Sequence, residues 1–480
     1  MEVVDRVISL VDKSLLQPEE QRLGEPRFRM LETIRAYGLE RLIASGEEQV
    51  IRQVHADYYL ALAETEHDNL RAALRWLEES GEAEHSLRLA GALCQFWLAR
   101  GYLHEGRERL AQILRLPETS QHTAARAKAL AGGGNLAHNQ GDYTAARVLF
   151  EESLALWREM GHKQGVATAL NDLGWVAWRQ GDYAVTRALS EESLTLWQEI
   201  GDWQGIATSL TNLGWTAHHQ GDYATAGALH QESLTMRRAL EDQRGVAFSL
   251  TLLGWAVSRQ GDYGRAVALL EEALALFQDV GMKQLFAFTS SIMAEVVHAQ
   301  GDDGRATALL AKSIQLFHAI GDKYGLALAL SALGAVVYTQ GDVRHATVLY
   351  EESLALGTAI GDKWGRARVL SQLGIVAHAQ GDDRRATALY EESMVLRRAI
   401  GDKHGIAECL EGLAEIAGAR RQLEQAARLL GAAEALRATT GAPLSPRERV
   451  RYDRLISAVR AELDEAVLVA AWIVGTTTLE

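Results

Sequence analysis

The sequence predicts an all-α solenoid, an array of stacked helix hairpins rather than one globular core. Three observations carry this. The pair Gly-Asp returns every 40 residues, at Gly141-Asp142, Gly181-Asp182, Gly221-Asp222, Gly261-Asp262, Gly301-Asp302, Gly341-Asp342 and Gly381-Asp382, and a fixed period of this size marks a repeat array. Between these pairs, apolar residues fall at helical steps. The chain holds only five prolines in 480 residues, which suits continuous helix.

The unit over 165–213 shows how each element arises. Val166, Ala169, Leu170, Leu173 and Ala177 share one face of a first helix. Leu189, Leu194, Leu196 and Ile200 share one face of a second, because steps of three and four align side chains on a helix. Gln180-Gly181-Asp182 is the turn between them. Glycine accepts the left-handed backbone that ends a helix, and aspartate then caps the next one. A second Gly-Asp pair, as at Gly201-Asp202, joins unit to unit. Each helix has about 16 residues and so spans ~24 Å. Two such helices cannot bury their own apolar faces, so the array is the folding unit.

These residues resemble the tetratricopeptide repeat (TPR), lengthened to 40 residues. One copy carries Leu170, Leu173-Gly174, Gly181-Asp182-Tyr183, Thr186 and Ser193. The next carries Leu210, Leu213-Gly214, Gly221-Asp222-Tyr223, Ala226 and Ser233. Gly174, Gly214, Gly254, Gly334 and Gly374 are expected where the two helices of a hairpin approach closely. The resemblance runs from about Thr123 to Gly441, with weak copies around Met293-Ala294-Glu295 and Leu413-Ala414-Glu415. It implies a right-handed solenoid of about eight 40-residue repeats with degenerate caps.

The flanks are organised differently. Residues 3–16 read as an amphipathic helix, 17–30 as a loop with a strand or two, and 31–45 as a helix ending at Gly46. The words LVDKSLL and PRFRMLETIRAYGLERL resemble the winged-helix junction of bacterial STAND-type (NB-ARC- and LuxR-like) ATPase transcriptional regulators. There a winged helix follows a P-loop module and precedes a helical sensor array. Only the distal part of a winged helix is recognisable, so 1–46 is read as a partial remnant and the chain as a C-terminal fragment or truncated relative. EHDNLRAALRWLEESG, from Glu66 to Gly81, and the closing LSPRERVRYDRLISAVR are shared words of the same regulators. Residues 47–120 are expected to form a helical linker with a degenerate cap, in which Leu93-Cys94, Gly101-Tyr102 and Gly106 stand at the repeat positions. The superhelix proper is expected over 121–441. Its last copy has Arg421-Gln422 in place of Gly-Asp. Gly441-Ala442-Pro443 breaks the pattern, and Ser445-Pro446 opens one or two capping helices over 442–480. No helix-turn-helix is expected after them.

Function is bounded by what is missing. No G-x-x-x-x-G-K-[ST] occurs, so the nucleotide cradle of the ATPases is absent from this sequence. Gly132-Gly133-Gly134 lies inside a first helix, where close packing explains it. The net charge of −14 is interspersed and argues against a broad nucleic-acid grip. Near the N-terminus, Arg27, Arg29, Arg35 and Arg41 are offset by Glu19, Glu20, Glu25, Glu32 and Glu40. Cys94 and Cys409 have neither disulfide nor zinc spacing. No leader or membrane span appears, so the expected compartment is the cytoplasm. His138, His218, His298 and His378 recur on separate helices, and Glu151-Glu152, Glu191-Glu192, Glu271-Glu272, Glu351-Glu352 and Glu391-Glu392 diverge around theirs. Neither series makes a metal or acid–base site, so no enzyme, metal or cofactor is expected.

Tryptophan is the informative stripe. Trp175, Trp215 and Trp255 each follow the Leu-Gly of a first helix. The resemblance to TPR proteins places that position toward the concave groove. With Asn171, Trp178, Thr211, His218, Thr251 and Ser258 they are candidates for an aromatic, weakly polar ligand trough. The same rings could instead fill the core between repeats, and the sequence leaves both open. The trough is expected to fade where Glu295, Ala335 and Ile375 follow. A clamp for peptide C-terminal carboxylates is disfavoured, since Asn171-Asp172, Thr211-Asn212 and Thr251-Leu252 lack its lysines. The leading expectation is a non-enzymatic binding scaffold, the sensor region of a STAND-type regulator lacking its ATPase. Its partner would be a protein or peptide, or a small-molecule inducer, with no direct nucleic-acid or membrane contact. The alternative is a free-standing adaptor for protein assembly or self-association.

Overall fold

In this computed structural model, residues 16–19, 27–30, 65–116 and 123–477 are described. Strand β1 (Leu16–Glu19) pairs antiparallel with β2 (Arg27–Met30), Leu16 opposite Met30 and Pro18 opposite Phe28. The loop with a strand or two expected over 17–30 thus holds two strands, the first beginning one residue earlier, at Leu16. The helices expected over 3–16 and 31–45 lie outside the described residues, apart from Leu16 in β1.

All else described is helical. Helices α1 (His67–Glu79), α2 (Ala83–Arg100) and α3 (Leu103–Arg115) come first. Eight hairpins follow: α4 (Ala124–Asn139) with α5 (Tyr143–Glu159), α6 (Lys163–Arg179) with α7 (Tyr183–Ile200), α8 (Trp203–His219) with α9 (Tyr223–Ala239), and α10 (Gln243–Arg259) with α11 (Tyr263–Asp279). Next come α12 (Lys283–Ala299) with α13 (Asp303–Ile320), α14 (Lys323–Thr339) with α15 (Val343–Ala359), α16 (Lys363–Ala379) with α17 (Asp383–Ile400), and α18 (Lys403–Ala419) with α19 (Leu423–Thr440). Helices α20 (Pro446–Glu462) and α21 (Glu465–Thr477) close the described chain. Among the described residues no helix is long and apolar enough to cross a membrane.

The turn chemistry is local and repeated. Between α6 and α7, Gly181 has φ 69°, its N–H donates to Trp178 O, and Asp182 N–H donates to Ala177 O. These two bonds satisfy carbonyls that the helix end leaves free. The Asp182 side chain then accepts from Val185 N at 3.3 Å and caps α7. The same cap starts seven successive second helices, from Asp142 to Asp382. Where glycine is missing, Glu241 (φ 55°) and Arg421 (φ 58°) are forced into the left-handed region.

Hairpins are held by a serine. Ser153, Ser193, Ser233, Ser313, Ser353 and Ser393, all buried, donate to the carbonyls of Ala127, Ala167, Ala207, Ala287, Ala327 and Ala367, at 2.7–3.0 Å. A buried hydroxyl without a partner would be costly, so this bond fixes the register of six of the eight pairs; Ala273 and Ala433 stand at its place in the other two. The leading glycines meet the second helix as expected. A Cβ on Gly334 would sit 2.7 Å from the Tyr350 ring, and one on Gly254 2.9 Å from Leu270. At Gly174 the facing residue is only Ser190, at 3.4 Å.

Two predictions follow from this packing. Gly334→Ala should destabilise the array by ~1–3 kcal/mol through overpacking, whereas Gly174→Ala should be neutral or stabilising by up to ~1 kcal/mol through helix propensity. Urea midpoints of the two variants decide, and equal losses would contradict the account. His230 occupies the place held by Phe150, Tyr350 and Tyr390 in other hairpins, and burial lowers its pKa from 6.5 to about 3. Below pH 6.5 the unfolded chain takes this proton and the folded chain does not, so stability is lost at ~1.4 kcal/mol per pH unit. His230→Phe should therefore gain stability relative to the parent between pH 7.5 and pH 5; a difference that stays constant over this range would refute the assignment.

Candidate functional site

The site forms where the ends of first helices meet across the array. Neighbouring first helices touch one another, α6 with α8 and α12 with α14 among them, so they line the inner side. A ring chain runs along that side: Trp175 to Trp178 at 5.5 Å between centroids, Trp178 to Trp215 at 5.0 Å, and Trp215 to Trp255 at 5.7 Å. Trp215 also meets Phe288 at 5.9 Å. The array then curves enough for units about four apart to touch. Tyr324 reaches Trp178 at 6.0 Å, Trp364 reaches His219 at 4.9 Å and Trp255 at 6.0 Å, and His404 reaches Tyr223 at 5.5 Å. The turn at Gly181 faces Lys363 and Ile400, the turn at Gly221 faces His404, and the turn at Gly261 faces Pro443.

The eight candidate residues are brought together, and most are enclosed. Trp255 is 1% exposed, Trp215 4% and Trp178 6%, all within the largest apolar cluster; Trp175 packs half-buried against it. Asn171 and Thr251 make buried polar contacts between neighbouring first helices, and Thr211 makes one to the second helix of its own hairpin. Asn171 Oδ1 accepts from Ser209 Oγ at 3.2 Å, Thr211 pairs with Ser233 at 3.1 Å, and Thr251 with Thr289 at 2.9 Å. The His218 ring lies 4.1 Å from that of Trp255, tilted by 39°, and Ser258 Oγ donates to Trp255 O at 2.7 Å.

Several polar atoms of this aromatic region have no partner. The indole Nε1 atoms of Trp178, Trp215 and Trp255, and Tyr324 Oη, are buried and unbonded. His219 Nδ1 lies 2.9 Å from the Trp215 carbonyl. It must donate there, because a carbonyl only accepts. Nε2 is then a bare acceptor, and burial holds the ring neutral by lowering its pKa to about 3. Burial also pushes the carboxyl of Asp172, which follows Asn171 in α6, up to about 7.

Glu295, at the place of the tryptophans, became the centre of an ion cluster. It accepts from Arg259 at 3.1 Å and from Arg368, which comes from α16, two hairpins further on. Burial opposes its charge, but Arg368 and Arg259 hold its carboxyl below the ordinary range. The aromatic set itself continues through Tyr324 and Trp364, which sequence reasoning missed. The signal was present: with His404 they stand second in their first helices, where Gln164, Gln204, Arg244 and Gln284 stand in other copies. Elsewhere, a cleft of about 690 Å³ opens between α19, α20 and α21. Arg437, on its wall, grips Glu411 at 2.5 and 2.8 Å. Among the described residues no group of three or more His, Cys, Asp or Glu is placed to hold a metal ion.

Comparison with known proteins gives the units a name. The tetratricopeptide-repeat profile matches residues 126–185, 178–239 and 216–279, and a second profile of the same name matches 366–404. These hairpins are tetratricopeptide repeats. A winged helix-turn-helix domain profile matches residues 1–43, upstream of the TPR array. Proteins of Mycobacterium bovis and Mycobacterium tuberculosis, each named "Putative HTH-type transcriptional regulator", are 38% identical over 184 residues. The match covers 33% of this chain and 21% of theirs, so it spans about a fifth of the length of these relatives. Among solved structures, a Rap protein complexed with Competence and Sporulation Factor superposes with TM-score 0.56 at 14% identity, over 74% of this chain and 98% of that one. The Rap conjugation gene regulator of plasmid pLS20, in complex with the Phr* peptide, gives 0.50 at 12%, over 65% and 96%. At such identities the likeness shows a shared TPR fold.

Removing the shared carboxylate of the ion cluster would leave two guanidinium groups facing each other without a counter-charge. Glu295→Ala should cost up to about 3 kcal/mol, the groups being only partly buried. Arg259→Met in the same background should recover part of it. Thermal unfolding of the single and double variants measures this, and additive losses would overturn it.

Proposed function

We propose that the TPR array is a non-enzymatic sensor or docking region that holds a peptide or protein segment on its inner aromatic side. The observation that carries this reading is the enclosed ring chain from Trp175 to Trp255, closed over by Tyr324 and Trp364, with buried donors that no protein atom satisfies. An unbonded buried donor costs ~1–3 kcal/mol, so an occupant or an opened state that supplies acceptors is favoured. The relatives named as transcriptional regulators, and the Phr* peptide named in one of the superposed complexes, support the same direction. In the fuller form of the reading, residues 121–441 sense a signal for a STAND-type regulator in the cytoplasm. The partial winged helix over 1–46 then acts as a spacer rather than as a DNA-gripping unit. No P-loop stands in these 480 residues, so the ATPase role would belong to another segment or chain.

A second reading has its own observation. On α21, Val469, Ile473 and Val474 are 43–56% exposed on one short helix, which favours self-association or assembly with another protein. Light scattering across concentration tests it.

The leading reading is tested by panning a random-peptide library on the whole chain. Selected peptides should lose at least about tenfold in affinity on Trp175→Ala or His218→Ala, and keep it on Glu351→Ala at the outer face. Peptides that depend on Glu351 and ignore Trp175 would sink it.

A further inference from the structure

A small chamber of about 10 Å³ lies where α6, α7 and α8 meet α14 and the turn before α16. Its walls are rings: Tyr143, Trp178, Tyr183, His219, Tyr324 and Trp364. At its centre is a cation belonging to the chain itself. Arg179, the last residue of α6, places its guanidinium carbon 4.4 Å from the Tyr324 ring centre and 5.1 Å from that of Trp178. Its Nε and Nη1 are buried without a hydrogen-bond partner. The one carboxyl on the wall, Asp362, is occupied in capping α16 through Gly365 N at 2.9 Å.

The contrast with Arg259 makes this arrangement informative. Arg259 ends α10 at the same repeat position and is paired with Glu295. The residue corresponding to Glu295 in the Arg179 unit is Trp215, one unit earlier than Trp255. Thus an arginine that elsewhere pairs with a carboxylate lies here against ring faces, which carry negative charge density and attract cations, with the Asp362 carboxyl on the same wall adding a favourable field. Such a box accepts a guanidinium or ammonium group from any source that reaches it, and is unsuited to an anion once Arg179 is withdrawn. Arg179 as a whole is only half-buried, so a rotamer change returns it to water.

We propose that this aromatic box is a receptor for a basic side chain, an arginine or lysine on a peptide, and that Arg179 is its built-in placeholder. The proposal rests on the reading that the inner side holds a peptide, and it names the anchor residue of that peptide. The incoming guanidinium takes over the stacking on Trp178 and Tyr324. The peptide backbone supplies carbonyls to the unbonded Trp178 Nε1 and Tyr324 Oη. Displaced Arg179 regains hydration that it lacks in the box.

The test uses N-acetyl-L-argininamide as probe, with its uncharged counterpart N-acetyl-L-citrullinamide, on the full chain. A tethered side chain competes at an effective concentration in the millimolar range, so the parent protein should bind the arginine probe weakly. Arg179→Met keeps the aliphatic stem and should bind it at least about tenfold more tightly, read by calorimetry and by indole fluorescence. Asp362→Asn in that background should weaken binding again, since an asparagine still caps α16. Arg179→Gln serves as a second emptied box should the methionine variant misfold by circular dichroism. Failure of both emptied variants to gain affinity, or equal binding of the citrulline probe, overturns the proposal. Panned peptides that depend on Trp175 but carry no basic residue would also overturn it while leaving the inner-side reading intact.

Discussion

The constraint on which the rest depends is the distance between the two helices of one hairpin. Small residues on the first helix, such as Gly254 and Gly334, let a large side chain of the second reach the axis. A serine hydroxyl on a first-helix carbonyl then fixes how the pair slides. Because these devices recur at 40-residue steps in most of the units, the hairpins share nearly the same shape. Repeating one shape with one offset necessarily makes a curve, and the curve brings Trp178 to Tyr324 and Trp255 to Trp364. Thus a contact between residues more than a hundred positions apart originates in the choice of glycine and serine within single units.

That chain of causes separates what was legible in the sequence from what was not. The turns were legible because Gly181 and Asp182 act on their own neighbours. The first-helix glycines were legible because their partners lie in the same hairpin. The Trp175, Trp215 and Trp255 stripe was legible as a stripe, but its repeat position left open whether it lined the groove or filled the core; the structure gathers its members into one cluster. What could not be decided was which of the two held, for the degree of enclosure depends on curvature summed over four units. Tyr324 and Trp364 were overlooked for the same reason: each is unremarkable within its own hairpin and matters only across the array. Glu295, read as the point where the trough stops, instead draws in Arg259 and Arg368 from two other first helices. A substitution pattern that breaks a repeat is therefore worth reading twice, once as a loss and once as a change of chemistry.

The interior that results is unusual for a core. It holds tryptophan, tyrosine and histidine alongside leucine and valine, and several of their polar atoms are unbonded. An aliphatic core would be better satisfied. Rings with donors are poor filler but good contact surface, since they combine apolar area with directional bonds. Stability and recognition therefore draw on the same residues here, and a substitution at Trp215 acts on both at once.

Solenoids usually lengthen or shorten by copying or dropping a unit, since each unit answers only to its neighbours. Here Trp364 must arrive opposite His219, and Arg447, at the start of α20, must arrive opposite Asp303, which it meets at 2.9 Å. Losing one 40-residue unit between those pairs would set a different residue in each place. The number of copies between the facing partners is consequently fixed by geometry, even though almost any single copy could pass for another.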